Sequence, residues 1–144
     1  MSAKFSFIFR GNWRWVHGAL WVHLPVANAP GEFFPPAPPE TSHKGFAVLN
    51  VAFDEYEFQF CSRAHIDHYI DVLSRKPLPT SRALSRLCGK DWGPNQHWLS
   101  RLPAKLKAPK NRARLVEVLI AARKFADEHA PNNAFQPAPQ AQRN

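Results

Sequence analysis

This chain of 144 residues has few cysteines, which stabilise small secreted domains, and few glycines, which form phosphate-binding loops. It contains two cysteines, Cys61 and Cys88, and six glycines. Two thiols cannot form the disulfide framework of a small secreted domain, so we expect reduced thiols and a cytoplasmic location. The sequence contains no phosphate-binding loop, no dinucleotide-type glycine fingerprint and no Gly-x-Ser-x-Gly motif. The common nucleotide-dependent and serine-hydrolase signatures are therefore excluded, and we expect no cofactor.

Long apolar runs are also absent. No window approaches the roughly 20 consecutive apolar residues that a membrane-spanning helix requires, so we expect no membrane partner. The segment from Trp15 to Ala27 is apolar, but His17, His23 and Pro25 interrupt it. We interpret this segment as part of the fold rather than as a signal peptide.

The first 61 residues show the alternating pattern of antiparallel strands. Residues 4–10 place Phe5, Phe7 and Phe9 on one side, and Gly11-Asn12 then resembles a two-residue hairpin turn. This pattern predicts a first hairpin over residues 4–24, returning through residues 13–17. A second hairpin is predicted over residues 46–61, with its turn at residues 54–55.

From Ser62 onward the apolar period changes to that of helices. Ser62 is predicted to cap a first helix, and Thr80 or Ser81 a second. A short helix is expected over residues 95–102, and a last one from Pro109 to about residue 128. The prediction is an α+β fold in which three to four helices pack on one face of a small antiparallel sheet.

The 14 prolines of the chain divide it into regions. We expect a single domain over residues 1–129, in which residues 25–45 form a proline-rich loop. Residues 130–144 have little to bury and are expected to be disordered. The oligomeric state has no signature in the sequence.

The positive charge is concentrated in one stretch of the chain. Residues 1–62 carry 4 basic and 5 acidic side chains, whereas residues 63–124 carry 14 basic and 4 acidic ones. A field of one sign attracts anionic partners such as nucleic acid or acidic proteins. The alternative is that these cations only solvate a surface or pair with Asp54, Glu55 or Glu57 of the sheet.

Basic residues interleaved with tryptophan favour a non-enzymatic nucleic-acid-binding protein, because phosphates attract cations and unpaired bases stack on aromatic rings. Three cations also stand at the start of the last helix, where the helix dipole disfavours them and where anions bind. The predicted partner is DNA or RNA, and the predicted site consists of Arg82, Arg86, Lys90, Trp92, Trp98, Arg101, Lys105, Lys107, Lys110, Arg112 and Arg114.

Two other functions stay open from the sequence. The first is a small inhibitor or adaptor that docks on an acidic protein, since tryptophan and arginine are frequent anchors of interfaces. Its predicted site consists of Arg10, Trp13, Arg14 and Trp15. The second is a small metal-free nuclease, although the sequence selects no catalytic residue for it.

Histidine and cysteine residues cluster where the second hairpin meets the first helix. Cys61, His65 and His68 have a spacing that matches no common zinc signature, and Cys88 or His97 would have to complete the set. We therefore predict no metal site. Asp67 lies beside these histidines, but helical geometry directs it away from Ile66 and toward solvent, so no catalytic pair is predicted.

Overall fold

An antiparallel sheet organises the protein, as seen in a computed structural model that describes residues 3–41, 43–80, 83–84, 98–131 and 133–135. The strands are β1 (Ala3–Arg10), β2 (Leu24–Pro25), β3 (Phe33–Phe34), β4 (Phe46–Phe53) and β5 (Tyr56–Phe60). The main sheet has three strands in the order β1-β4-β5. A second, two-stranded sheet pairs β2 with β3.

The helices follow the main sheet, which confirms the predicted α+β order. They are α1 (Arg63–Ser74), α2 (Ala104–Lys107) and α3 (Pro109–His129). Short 3₁₀ helices occupy Trp13–Trp15, Ala19–Trp21, Trp98–Arg101 and Asn133–Phe135. None of the helices that the structure describes is long and apolar enough to cross a membrane.

The predicted helix starts are confirmed where the structure describes them. The Ser62 hydroxyl accepts the backbone N–H of His65 at 3.1 Å, which caps α1. Thr80 Oγ1 accepts the N–H of Ala83 at 3.1 Å, so a helical turn begins there as expected. Pro109 occupies the first turn of α3, where its missing N–H costs nothing. Of the short helix predicted over residues 95–102, the described part is the 3₁₀ turn that begins at Trp98.

The first predicted hairpin is wrong, because β1 pairs with β4 and not with the segment that follows it. Both favoured two-residue hairpin turns need positive φ at their first residue, but Gly11 does not have it, and Asn12 is extended with φ −149°. Its side chain instead accepts the N–H of Arg14 at 3.0 Å and caps a 3₁₀ helix. Trp13 is thereby turned into the core, where it is 3% exposed.

The helices cover one face of the main sheet. In the register of the strands, Phe5 faces Val51 and Phe7 faces Leu49, so these side chains share a face. The ring of Phe125 on α3 lies 5.8 Å from the rings of both Phe5 and Phe7. This contact closes the larger core, which confirms that the helices pack on one side.

The proline-rich segment and the first 3₁₀ helices cover part of the opposite face. Val48 and Cys61 pack there with the buried side chains of Trp13 and Val16. Phe33 closes this smaller core, with its ring 5.1 Å from that of Trp13, while Phe34 is 73% exposed. The segment predicted as a loop therefore forms a layer of the fold.

Disorder is predicted from residue 130, but the structure corrects this for the residues it describes there. Phe135 is buried, and its ring lies 5.3 Å from that of Phe7. An aromatic side chain was missed here because it stands alone among polar and small residues, with no period to reveal it. Residues 136–144 lie outside the described residues.

Gly18 provides a test of this packing. It has φ +86°, and a Cβ atom at this position would collide with the hydroxyl of Tyr69. Gly31 has a similar φ of +83° but open space around it. We expect Gly31→Ala to lower the free energy of unfolding by about 1–2 kcal/mol, the cost of the left-handed conformation. Gly18→Ala should lower it by more, as measured by urea denaturation. Equal losses in the two variants would contradict the described packing.

Candidate nucleic-acid interface

The described part of the basic segment forms a continuous stretch around α2 and the start of α3. Buried Leu106 fixes α2 on the core, and this leaves Lys105 exposed and Lys107 half-buried. Ala108 links α2 to α3 in an extended conformation and offers no side chain to cap α3. Lys110 is exposed in the first turn of α3, which contains no acidic residue.

Two side chains tie this stretch together. Asn111 donates from its amide to the carbonyl of Lys105 at 3.0 Å. Arg112 donates to the carbonyl of Lys107 at 3.1 Å. These hydrogen bonds satisfy carbonyls of α2 that lack helical partners. Arg112 therefore stabilises the local fold as well as adding charge.

Two of the predicted cations pair with the β4–β5 turn. Arg114 lies 3.6 Å from the carboxylate of Asp54, and Lys105 lies 4.0 Å from that of Glu55. The guanidinium of Arg114 also lies 5.5 Å from the ring centre of Phe53. For these two residues the structure favours the alternative of pairing with the sheet, and their charge is partly neutralised.

Three other predicted cations have no such partner in the part of the chain that the structure describes. Among the described residues, no carboxylate lies within 4.0 Å of the charged groups of Arg101, Lys107 or Lys110. Arg101 and Lys110 are exposed, and Lys107 is half-buried. We define the basic surface as Arg101, Lys105, Lys107, Lys110, Arg112 and Arg114.

A groove lies beside the basic surface, between the end of α1 and the start of α3. Its volume is about 530 Å³. Lys76 and Arg112 line the groove, and Leu73 and Val116 form apolar parts of its lining. Lys76 adds a cation that the predicted site does not include.

The predicted stacking residue Trp98 is part of the core. It is 2% exposed, and its indole is stacked on Tyr69 with 3.8 Å between ring centres. Its Nε1–H donates to Nε2 of His68 at 3.0 Å. A buried ring held in this way cannot leave the core to stack on a base. Four further residues of the predicted site lie outside the described residues: Arg82, Arg86, Lys90 and Trp92.

The predicted protein-docking residues divide in a different way. Trp13 is buried, whereas Trp15 is 74% exposed. The guanidinium of Arg14 lies 5.2 Å from the ring centre of Trp13 and 5.1 Å from that of Phe33. Arg10 donates to the side-chain oxygen of Gln59 at 2.7 Å. Arg10, Arg14 and Trp15 are thus the exposed members of this set.

A cleft along the outer edge of β5 is the feature that the sequence did not reveal. Two cavities of about 170 and 200 Å³ share four lining residues: His17, Glu57, Phe58 and Tyr69. Arg101 lines the smaller cavity. Desolvation by burial, and secondarily the positive charge of Arg101, lower the pKa of His17. No local sequence pattern predicts this cleft, because residues 17, 57 and 101 come together only when the chain folds.

The clustered histidine and cysteine residues have structural positions. His65 is buried, and its Nδ1 accepts the N–H of Cys61 at 3.1 Å. Burial raises the pKa of the Cys61 thiol to about 12. Within the described ranges, no three histidine, cysteine or acidic side chains come together as metal ligands. Cys88 and His97 lie outside those ranges. Asp67 pairs with Arg123 at 2.8 Å and with Arg63 at 3.4 Å.

A second buried histidine joins the proline-rich layer to α1. Nδ1 of His23 lies 2.8 Å from the carbonyl of Pro35, and its Nε2 lies 2.7 Å from the Ser62 hydroxyl. A carbonyl only accepts, so Nδ1 carries the proton and the Ser62 hydroxyl donates to Nε2. This is a neutral histidine, and burial lowers its pKa.

Comparison with known proteins identifies no relative of this chain. No protein-family model, curated protein or solved structure matches the chain. The chemistry of the residues therefore carries the functional argument.

Buried neutral histidines predict an acid-sensitive fold. Burial lowers the pKa of His23 and His65 below the ordinary value of 6.5, and that of His68 to about 4. Below pH 6.5 the unfolded chain binds more protons than the native state, so stability must fall as the pH falls from 6.5 toward 4. Each unit of pKa difference is worth about 1.4 kcal/mol.

Urea denaturation between pH 7.5 and 5 measures this slope above the range in which most carboxylates titrate. The His68→Gln variant keeps an acceptor for Trp98 and should show a shallower slope. The exposed His43 provides the control, since His43→Asn should leave the slope unchanged. A parent protein equally stable at pH 7.5 and pH 5 would contradict the histidine argument.

Proposed function

We propose that the protein is a non-enzymatic binder of nucleic acid that contacts phosphates through the basic surface. The observation that carries this proposal is the set of cations without carboxylate partners around an uncapped helix start. Arg101, Lys107 and Lys110 lack such partners among the described residues, and the first turn of α3 has no acidic side chain. Folding alone would favour Asp or Glu at this helix end.

The arrangement suits a phosphate backbone better than a single small anion. The cations extend over two helices and the 3₁₀ turn before them, and Lys76 continues them across the groove. Phosphates along a strand are regularly spaced, so a row of cations can meet several of them and release their counterions. Such contacts orient the nucleic acid without reading its sequence.

Affinity for nucleic acid should therefore depend steeply on salt. If about four to six cations meet phosphates, the log–log slope of affinity against salt concentration is roughly −3 to −5. Lys107→Glu combined with Lys110→Glu should weaken binding to all sequences and reduce the magnitude of that slope by about two. Fluorescence anisotropy with labelled random-sequence DNA and RNA measures both quantities.

A matched control has the same change of net charge at other exposed lysines. Lys4 lies on β1, and Lys124 lies 14 residues beyond Lys110 on α3, or about 21 Å along the helix. Lys4→Glu with Lys124→Glu should leave the salt slope near that of the parent. Equal effects of the two double variants, or a parent that binds neither DNA nor RNA in 50 mM salt, would refute the proposal.

A docking site for an acidic protein is the second candidate, and the exposure of Trp15 favours it. A tryptophan that is 74% exposed beside an exposed arginine is a typical interface anchor. The test is a pull-down from nuclease-treated lysate with the parent and an Arg14→Glu, Trp15→Ser variant. A partner retained only by the parent would support this function, whereas identical patterns would exclude it.

A further inference from the structure

The outer edge of β1 is open to an added strand. β1 is one of the two outer strands of the main sheet, and its outer edge pairs with no strand that the structure describes. Its eight residues follow one continuous register with β4, without a bulge, and contain neither proline nor glycine. Five of the eight are exposed, whereas β5, the other outer strand, has one exposed residue. β1 therefore lacks the bulge or proline that commonly blocks pairing at a sheet edge.

The charges of β1 determine which kind of strand it can accept. Lys4 and Arg10 lie toward opposite ends of β1 on the same face, about 20 Å apart along the strand. Among the described residues, no carboxylate lies within 4.0 Å of either charged group, and Arg10 contacts the uncharged Gln59. Glu57 is on this face too, but it lies two strands from Lys4 in the register, or about 10 Å. The edge thus presents two cations that carboxylates of an added strand could pair with.

The other face of β1 is aromatic. Phe5 and Phe7 are half-buried against Phe125 of α3, and Phe9 is 38% exposed. A strand added beside β1 would place every second side chain next to these rings. Apolar side chains at those positions would bury the parts of the rings that are still in contact with water. The two faces together therefore select a segment in which apolar residues alternate with polar ones and two acidic residues stand six positions apart.

We propose that the outer edge of β1 binds an extended acidic segment of a partner protein, which adds a fourth strand to the main sheet. Backbone hydrogen bonds to β1 supply affinity, and carboxylates opposite Lys4 and Arg10 supply specificity. A second copy of this chain fits the edge less well, because it brings a second Lys4 and Arg10 and a net charge of +8. The inference does not rest on the proposed function, since β1 shares no residue with the basic surface.

A heptapeptide with blocked ends tests this inference with the full-length protein, and titration calorimetry measures its affinity. Its order is glutamate, valine, threonine, valine, threonine, valine, glutamate, so that the glutamates lie opposite Lys4 and Arg10 and the valines opposite the three phenylalanines. It should bind about tenfold more tightly than the same peptide with lysine at both ends, because two attractive charge pairs replace two repulsive ones. A peptide of the same composition with its glutamates adjacent should bind about threefold more weakly. N-methylation of the interior amides keeps every side chain but prevents pairing, and should weaken binding by about tenfold.

Reversal of the two charges on β1 tests the protein side of the contact. Lys4→Glu combined with Arg10→Glu should invert the preference, so that the lysine peptide binds more tightly than the glutamate peptide. An inverted preference also shows that the variant is folded. Lys76→Glu combined with Lys110→Glu is the matched control, because it changes the net charge equally at exposed lysines outside the main sheet. This control should prefer the glutamate peptide as the parent does.

Amide hydrogen exchange shows where the peptide binds. Outward-facing amides of β1 should exchange more slowly in the complex, whereas those of β5 should not change. The inference is overturned by protection of β5 alone, by equal binding of the glutamate peptide and its rearranged form, or by a parent that binds neither. A parent that dimerises in sedimentation experiments, with its β1 amides protected, would also overturn it in favour of a second copy. None of these outcomes depends on whether the basic surface binds nucleic acid.

Discussion

The pairing of β1 with β4 is the constraint on which the rest of the structure depends. It places β4 in the middle of the main sheet, with the helices on one face and a second layer on part of the other. Leu49 and Val51 accordingly face the helices, while Val48 faces the layer formed by the first 3₁₀ helices and Phe33. The proline-rich segment is needed because it covers apolar side chains that an ordinary loop would leave in water.

Local signals were sufficient where an element depends on its own residues. Ser62, Thr80 and Pro109 fix helix starts through their own side chains, and the second hairpin follows from alternation over β4 and β5. The first hairpin failed because Gly11-Asn12 suits two local conformations. Burial of Trp13 against Val48 decides between them, and that contact depends on the distant strand β4. Tertiary packing overrode the turn signal.

The candidate site was predictable as a charge pattern but not as a geometry. Residue types alone cannot tell that Arg114 pairs with Asp54 while Lys110 faces solvent, because that depends on where the β4–β5 turn meets α3. Trp98 illustrates the same limit, since an aromatic residue among cations is equally suited to a core. The cleft residues His17 and Glu57 lie in separate segments of the chain, and no sequence pattern links the two segments.

The register of β1 also affects how the chain is made. Arg10 pairs with Phe46, and Ala3 pairs with Phe53, so β1 leaves the ribosome well before its partner strand β4. During that interval, Phe5, Phe7 and Phe9 have neither a neighbouring strand nor the helix that later covers Phe5 and Phe7. An unpaired aromatic strand is prone to associate with other chains. The nascent chain therefore passes through a stage in which β1 exposes unpaired backbone and aromatic side chains to other molecules.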